Sequence, residues 1–68
     1  MSKLKEIRKN SGLTQSRLSE LSGVSLRIIQ HYEQGYKDIN KAQAMTIYQL
    51  AQVLGCTMEE LLEKVTEH

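Results

Sequence analysis

The segment of residues 25–35 reads SLRIIQHYEQG and is rich in side chains that make directed hydrogen bonds. A helix face that only meets solvent is more often built from Glu and Lys pairs four residues apart. Arginine can bond guanine O6 and N7 at once, and glutamine can bond adenine in the same way. The segment therefore favours a helix that reads base edges, with a merely solvated face as the alternative. On a helical wheel with about 100° per residue, the hydrogen-bonding side chains that share one side are Arg27, Gln30, His31 and Gln34.

The other side of this segment is apolar at helical spacing. Ile29 and Tyr32 point in nearly the same direction as Ser25. Ile28 borders them, so this side is expected to pack inward. Serine is a common N-cap and glycine a common helix end, and we therefore predict a helix over residues 25–34.

Two predicted helices precede this segment. The first carries Leu4 and Ile7 at helical spacing and ends near Gly12. The second begins after Thr14, which can cap its first amides, and ends at Gly23. Because so few residues separate the second helix from the third, we expect a tight turn between them.

Two more predicted helices follow a loop of sequence GYKDINKA. The fourth has apolar residues three and four positions apart and ends at Gly55. The fifth begins at a capping box, in which Thr57 accepts from the amide of Glu60 and the glutamate bonds back to the threonine. Met45 and Met58 are expected to fill the core beside them. The apolar residues of these two helices are Ala44, Ile47, Tyr48, Leu50, Ala51, Leu54, Leu61, Leu62 and Val65.

These patterns predict one compact all-α domain over residues 1–68, with five helices. A chain of 68 residues without a repeat or a linker holds a single small core. The absence of Pro, Trp and Phe favours helices with aliphatic packing. No apolar run approaches the roughly 18 residues of a membrane span, and one cysteine cannot form an internal disulfide. We therefore expect a cytoplasmic protein.

Charge is distributed unevenly along the chain. Residues 1–41 contain eight basic and four acidic side chains, whereas residues 42–68 contain one basic and four acidic side chains. A basic N-terminal surface suits contact with phosphate, and an acidic C-terminal end suits solvent or another protein. The alternative is that both regions are ordinary solvated surfaces, because few charges are involved.

The segment LTQSRLSELSGVSLRIIQHYEQG, residues 13–35, resembles the helix-turn-helix of the lambda-repressor-like family, the Cro and phage-repressor type of DNA-binding domain. The leading LKEIRK and the trailing LAQVLGCTMEELL are similar to the first, fourth and fifth helices of that family. The resemblance thus covers nearly the whole chain and implies a lambda-repressor-like fold with its helix-turn-helix at residues 14–34. The residues that carry it are Leu13, Thr14, Gln15, Leu18, Leu21, Gly23, Val24, Ser25, Ile29, Tyr32, Glu33 and Gly35.

In this family the third helix enters the major groove of double-stranded DNA. The resemblance therefore implies that Leu26, Arg27 and His31 read base edges. Ser25 and Ile28 are expected at the border of the contact. Leu26 could touch a thymine methyl group. Leu26 and Ile28 stand where hydrogen-bonding or small polar residues are frequent in the family, so its base preference does not carry over.

Phosphate contacts are expected on both sides of the third helix. Gln15 matches a position that grips a phosphate in this family, together with free backbone amides at a helix N-terminus. The positive charge of Arg17 opposes the helix dipole, which costs up to about 1 kcal/mol unless a phosphate lies nearby. We therefore expect a phosphate close to Arg17. Gln34, Tyr36 and Lys37 surround the end of the third helix. The complete set of predicted phosphate contacts is Gln15, Arg17, Gln30, Gln34, Tyr36 and Lys37.

Members of the family also pair an arginine of the first helix with a glutamate of the third. Arg8 and Glu33 occupy the matching positions in this chain. The resemblance therefore implies a structural ion pair, whose disruption would leave an unpaired charge behind.

The family resemblance implies a small bacterial or phage-type transcriptional regulator, and we expect a repressor. One recognition helix reads few base pairs, so we expect a homodimer on a palindromic operator with half-sites about one helical turn apart, roughly 34 Å. Leu61, Leu62 and Val65 could supply the dimer interface or could simply close the core of the monomer.

Catalytic and metal-binding functions have no support in the sequence. No nucleophile with a base, no carboxylate pair and no cluster of metal ligands is recognisable. Cys56 has no basic residue near it in sequence and is expected to be a small buried hydrophobe rather than a redox centre. We therefore expect no enzyme activity, no cofactor, no metal and no small-molecule ligand.

The principal alternative is an interaction module of the same fold that binds a protein, such as a toxin partner or another regulator. Leu26 and Ile28 favour this alternative if they are exposed. Gln15, Arg27 and Lys37 favour DNA, because their side chains donate hydrogen bonds or carry positive charge.

Overall fold

The computed structural model describes residues 2–63, which form five α-helices and one turn of 3₁₀ helix without any strand. The expected all-α fold with five helices is confirmed, and the third helix begins one residue later than predicted. Among the described residues, no helix combines the length and the apolar character needed to cross a membrane. The elements are α1 (Lys3–Asn10), α2 (Gln15–Ser22), α3 (Leu26–Gln34), the 3₁₀ turn (Ile39–Lys41), α4 (Ala44–Leu54) and α5 (Met58–Leu61).

Threonine side chains set the start of two helices as predicted. The hydroxyl of Thr14 accepts a hydrogen bond from the amide of Arg17 at 3.0 Å at the start of α2. Thr57 and Glu60 form the capping box of α5, in which the Thr57 amide donates to Glu60 Oε1 at 2.8 Å. Ser25 occupies the N-cap of α3, but its hydroxyl makes no capping hydrogen bond.

Each helix contributes one large side chain to the centre of the core. Leu4, Leu18, Ile29, Leu50 and Leu61 come from α1 to α5 in that order, and each is 0% exposed. Burying one such side chain contributes roughly 1.5–3 kcal/mol, so every helix, even the short α5, is tied to the fold. Helix α2 packs against α3 and α4, while α1 packs against α3 and α5. The other buried apolar residues are Val24, Ile39, Ile47, Ala51 and Leu54.

The segment predicted as a loop between α3 and α4 contains an ordered turn. Asp38 caps the 3₁₀ turn, since its carboxylate accepts from the Asn40 amide at 2.9 Å. Ile39 is buried and belongs to the core. Periodicity could not identify Ile39, because a single apolar residue between polar neighbours has no helical spacing.

Asn40 ties this turn to the end of the described chain. Its side-chain nitrogen donates to the Glu63 carbonyl at 3.0 Å, and its side-chain oxygen accepts from the Glu63 amide at 2.9 Å. The Glu63 carboxylate accepts from the Lys3 amide at 2.8 Å, at the positive N-terminal end of α1. Hydrogen bonds thus join three segments that are distant in sequence.

Of the two alternatives for Leu61, the structure supports a place in the core of the monomer and not in a dimer interface, because this side chain is fully buried. One expectation about the core is corrected. Met45 was expected in the core but is 62% exposed, because it lies on the side of α4 opposite the buried residues. Leu62 and Met58 are partly buried against the core. The predicted interface residue Val65 lies outside the described residues.

Cys56 is partly buried and packs against the core, as expected for a small apolar residue. Burial raises the pKa of its thiol above the usual value, and the negative charge of Glu60 adds to the effect. A thiol with a raised pKa stays protonated and is a poor nucleophile.

Leu61→Ala is expected to lower the free energy of unfolding by about 2–5 kcal/mol, because it removes a fully buried side chain and leaves a cavity. Met45→Ala is the matched control and should change this free energy by less than about 0.5 kcal/mol, since Met45 is mostly exposed. Urea unfolding followed by circular dichroism measures both. Equally small losses for the two variants would contradict the place of α5 in the core.

Candidate nucleic-acid interface

Side chains of α2 fix the turn that leads into α3. Gly23 ends α2 in a left-handed conformation with φ 77°, which other residues rarely adopt. Ser19 Oγ donates to the Val24 carbonyl at 2.6 Å, and the Val24 amide donates to Ser22 Oγ at 3.1 Å. Val24 is also buried in the core. These contacts determine the direction in which α3 leaves α2.

One side of α3 is open to solvent while the opposite side, centred on Ile29, is buried. Leu26 is 36% exposed, and Arg27 makes no ion pair with any residue of 2–63. The Arg27 side chain is exposed at the surface. The open face of α3, as we call it below, consists of Arg27 and Gln34, which lie opposite Ile29, together with the exposed residues Ser25 and Leu26 at the start of the helix.

Three residues with predicted DNA contacts, Ile28, Gln30 and His31, are partly buried. The ring of His31 lies against the ring of Tyr36, with centroids 5.8 Å apart and planes at 77°. This contact forms because the chain reverses at Gly35, and the Tyr36 amide bonds back to the His31 carbonyl at 2.9 Å. His31 Nδ1 is buried and has no hydrogen-bond partner among the described residues, so this atom is not accessible to a base edge.

Arg8 of α1 and Glu33 of α3 form a buried ion pair with two hydrogen bonds. Arg8 Nε lies 2.7 Å from Glu33 Oε2, and Arg8 Nη2 lies 3.0 Å from Glu33 Oε1. The arginine and glutamate side chains are only 9% and 1% exposed. Arg8 Nη1 also donates to the Leu13 carbonyl at 2.8 Å. Removal of one partner from such a pair typically costs about 3–5 kcal/mol, because the other charge stays buried without compensation.

Gln15 reaches the same carboxylate from the start of α2. Its Nε2 donates to Glu33 Oε1 at 2.9 Å, so this oxygen accepts from both Gln15 and Arg8. Sequence reasoning missed this contact, because residues in two different helices share no periodic spacing. The backbone amides of Gln15 and Ser16 have no partner within residues 2–63. The N-terminus of α2 therefore combines free amides with one oriented side-chain amide.

The other predicted phosphate contacts lie on the surface. Tyr36 is 74% exposed and Lys37 is exposed beside it, just beyond the end of α3. Arg17 is exposed and pairs with Glu20 at 3.1 Å. Exposed ion pairs of this kind contribute roughly 0–1 kcal/mol, so this arginine can exchange Glu20 for a phosphate at little cost.

Comparison of the sequence with models of protein families identifies the same arrangement of α2, turn and α3. A helix-turn-helix family model matches residues 4–61, which extend from α1 to the end of α5. No curated protein and no solved structure was found to match the chain. The family match includes α2, the turn and α3, together with both partners of the buried ion pair. Because it spans most of the sequence, the chain belongs to the helix-turn-helix family of DNA-binding domains, of the Cro and phage-repressor type.

Proposed function

We propose that the chain is a small transcriptional regulator that binds double-stranded DNA with α3 in the major groove. The observation that carries the proposal is the open face of α3, on which Arg27 is exposed and makes no ion pair within residues 2–63. Arg27 would pair with guanine, and Leu26 would contact a thymine methyl group. Ile28 would border the contact, and His31 would take part only through Nε2, since its Nδ1 is buried.

Both ends of the motif would hold the DNA backbone. At the start of α2, Gln15 and the free amides would donate to one phosphate, and Arg17 would add positive charge. Beyond α3, the exposed Tyr36 and Lys37 would meet a second stretch of backbone. Gln30 and Gln34 complete the proposed phosphate contacts. Occupation of a promoter in this way would make the chain a repressor.

We propose a homodimer on a palindromic operator, because a single α3 reads too few base pairs for high specificity. Since Leu61 is buried in the monomer, the interface must come from other residues. Leu62 is only partly buried and remains a candidate.

A second candidate function is protein binding by the same fold. Met45 and Tyr48 are both exposed and lie three residues apart on α4, a helix that contributes none of the proposed DNA contacts. Exposed apolar side chains on one side of a helix favour contact with another protein.

The affinity for duplex DNA is expected to fall steeply as salt rises. Each phosphate contact made by a lysine or an arginine releases about one counterion, so the logarithm of the affinity should fall by about 0.9 for each such contact per tenfold rise in salt. Fluorescence anisotropy of a labelled duplex, recorded over a series of salt concentrations, measures this slope. A flat response would contradict DNA binding and would favour a protein partner.

Arg27→Ala and Gln15→Ala are expected to weaken DNA binding in different ways. Loss of Arg27 should cost about 1–3 kcal/mol and relax the preference at one base pair, whereas loss of Gln15 should weaken binding to all sequences similarly. A duplex selected from a random pool, and its single-base variants, are titrated with each protein. Equal losses on every duplex for both variants would refute the assignment of Arg27 to base reading.

Two chains are expected to bind one palindromic duplex whose half-sites lie about one helical turn apart, roughly 34 Å. A duplex that contains a single half-site should bind one chain and serves as the control. Sedimentation velocity of the two complexes gives the stoichiometry. If the palindromic duplex holds only one chain at saturating protein, the homodimer proposal is wrong.

A further inference from the structure

We propose that Glu33 is a positioning residue for the phosphate contact of Gln15, in addition to being the ion-pair partner of Arg8. The inference rests on the proposed function, since it concerns a contact with DNA. It starts from one buried oxygen atom. Glu33 Oε1 accepts from Gln15 Nε2 at 2.9 Å and from Arg8 Nη2 at 3.0 Å.

The hydrogen bond to Glu33 determines which way round the Gln15 amide lies. A carboxylate only accepts hydrogen bonds, so the nitrogen of the amide and not its oxygen must face Glu33. The amide nitrogen carries a second hydrogen, which remains available for a phosphate at the start of α2. Without the carboxylate, the amide could turn over and present its oxygen to the phosphate, which needs a donor.

Glu33 is a fixed anchor for this purpose. Its side chain is 1% exposed, and two hydrogen bonds from the Arg8 guanidinium hold its position. Gln15 is only partly buried and would otherwise sample several rotamers. A side chain that is already ordered in the free protein loses less entropy when it binds a ligand.

Arg8 makes this anchor compatible with an anionic ligand. An uncompensated carboxylate close to Gln15 would repel a phosphate. The guanidinium of Arg8 bonds both oxygens of Glu33 and neutralises the charge locally. The network of Arg8, Glu33 and Gln15 thus joins α1, α2 and α3, and it links the orientation of a phosphate contact to the position of the recognition helix.

A double-mutant cycle tests the inference. The wild-type chain, Glu33→Gln, Gln15→Ala and the double variant are titrated with one duplex at several salt concentrations. Glu33→Gln should weaken binding about 3- to 10-fold in the wild-type background. In the Gln15→Ala background the same change should weaken binding clearly less, because only the ion pair with Arg8 is then lost.

Equal fold losses in both backgrounds would overturn the positioning role and would leave DNA binding intact. If the wild-type chain itself shows no salt-dependent binding to the duplex, the proposed function is overturned instead. Circular dichroism at the titration temperature verifies that each variant is folded. Glu33→Asp is the second variant, since it keeps the charge but withdraws the carboxylate from Gln15, and it should reproduce the coupling to Gln15→Ala.

Hydrogen exchange in the wild-type chain tests the inference even if both Glu33 variants unfold. The side-chain amide hydrogens of Gln15 should exchange more slowly than those of Gln52, an exposed glutamine of α4, because one of them is bonded to Glu33. NMR spectroscopy of the free protein and of its DNA complex measures both rates. Equally fast exchange of the two glutamine side chains would overturn the inference.

Discussion

The buried ion pair between Arg8 and Glu33 restricts α3 to one rotation about its own axis. Glu33 is 1% exposed, and within residues 2–63 its compensating charge comes from Arg8 of α1, so turning α3 would leave that carboxylate buried without a partner. Ile29 restrains the same rotation through the apolar core. With both side chains facing inward, Arg27 and Gln34, which lie on the opposite side of the helix, face solvent. The surface that would meet DNA is therefore a consequence of contacts on the opposite side of the helix.

Apolar burial and polar contacts have different roles in this small molecule. One fully buried side chain from each helix stabilises the fold by apolar contact. Apolar contacts alone would still allow small shifts of one helix relative to another. Directional hydrogen bonds remove that freedom. Asn40 pins the turn after α3 to Glu63, and Gln15 joins the start of α2 to Glu33. A surface held in this way is ordered before it binds, which reduces the entropy lost on binding.

Local signals in the sequence were sufficient for the helices but not for all contacts between them. The threonine caps located the starts of α2 and α5, and the glycines located the ends of α2, α3 and α4, within about one residue. Helix α5, which has no glycine at its end, stops at Leu61, before the Leu62 that was expected within it. A family resemblance indicated the pairing of Arg8 with Glu33. A helical wheel gives the direction of a side chain but not what covers it. The wheel therefore places His31 on the polar side of α3, whereas in the structure its ring is covered by the ring of Tyr36, which follows the end of the helix. The burial of Ile39 depends likewise on distant packing and has no periodic signature.

The central claim, that the open face of α3 meets DNA, is tested most directly by NMR titration of the isotope-labelled chain with its selected duplex. The account predicts the largest changes in amide chemical shift at Gln15, Leu26 and Arg27. The amides of Met45 and Tyr48, on the outer side of α4, should change little. The largest changes at Met45 and Tyr48, together with unchanged amide shifts along α3, would contradict the account.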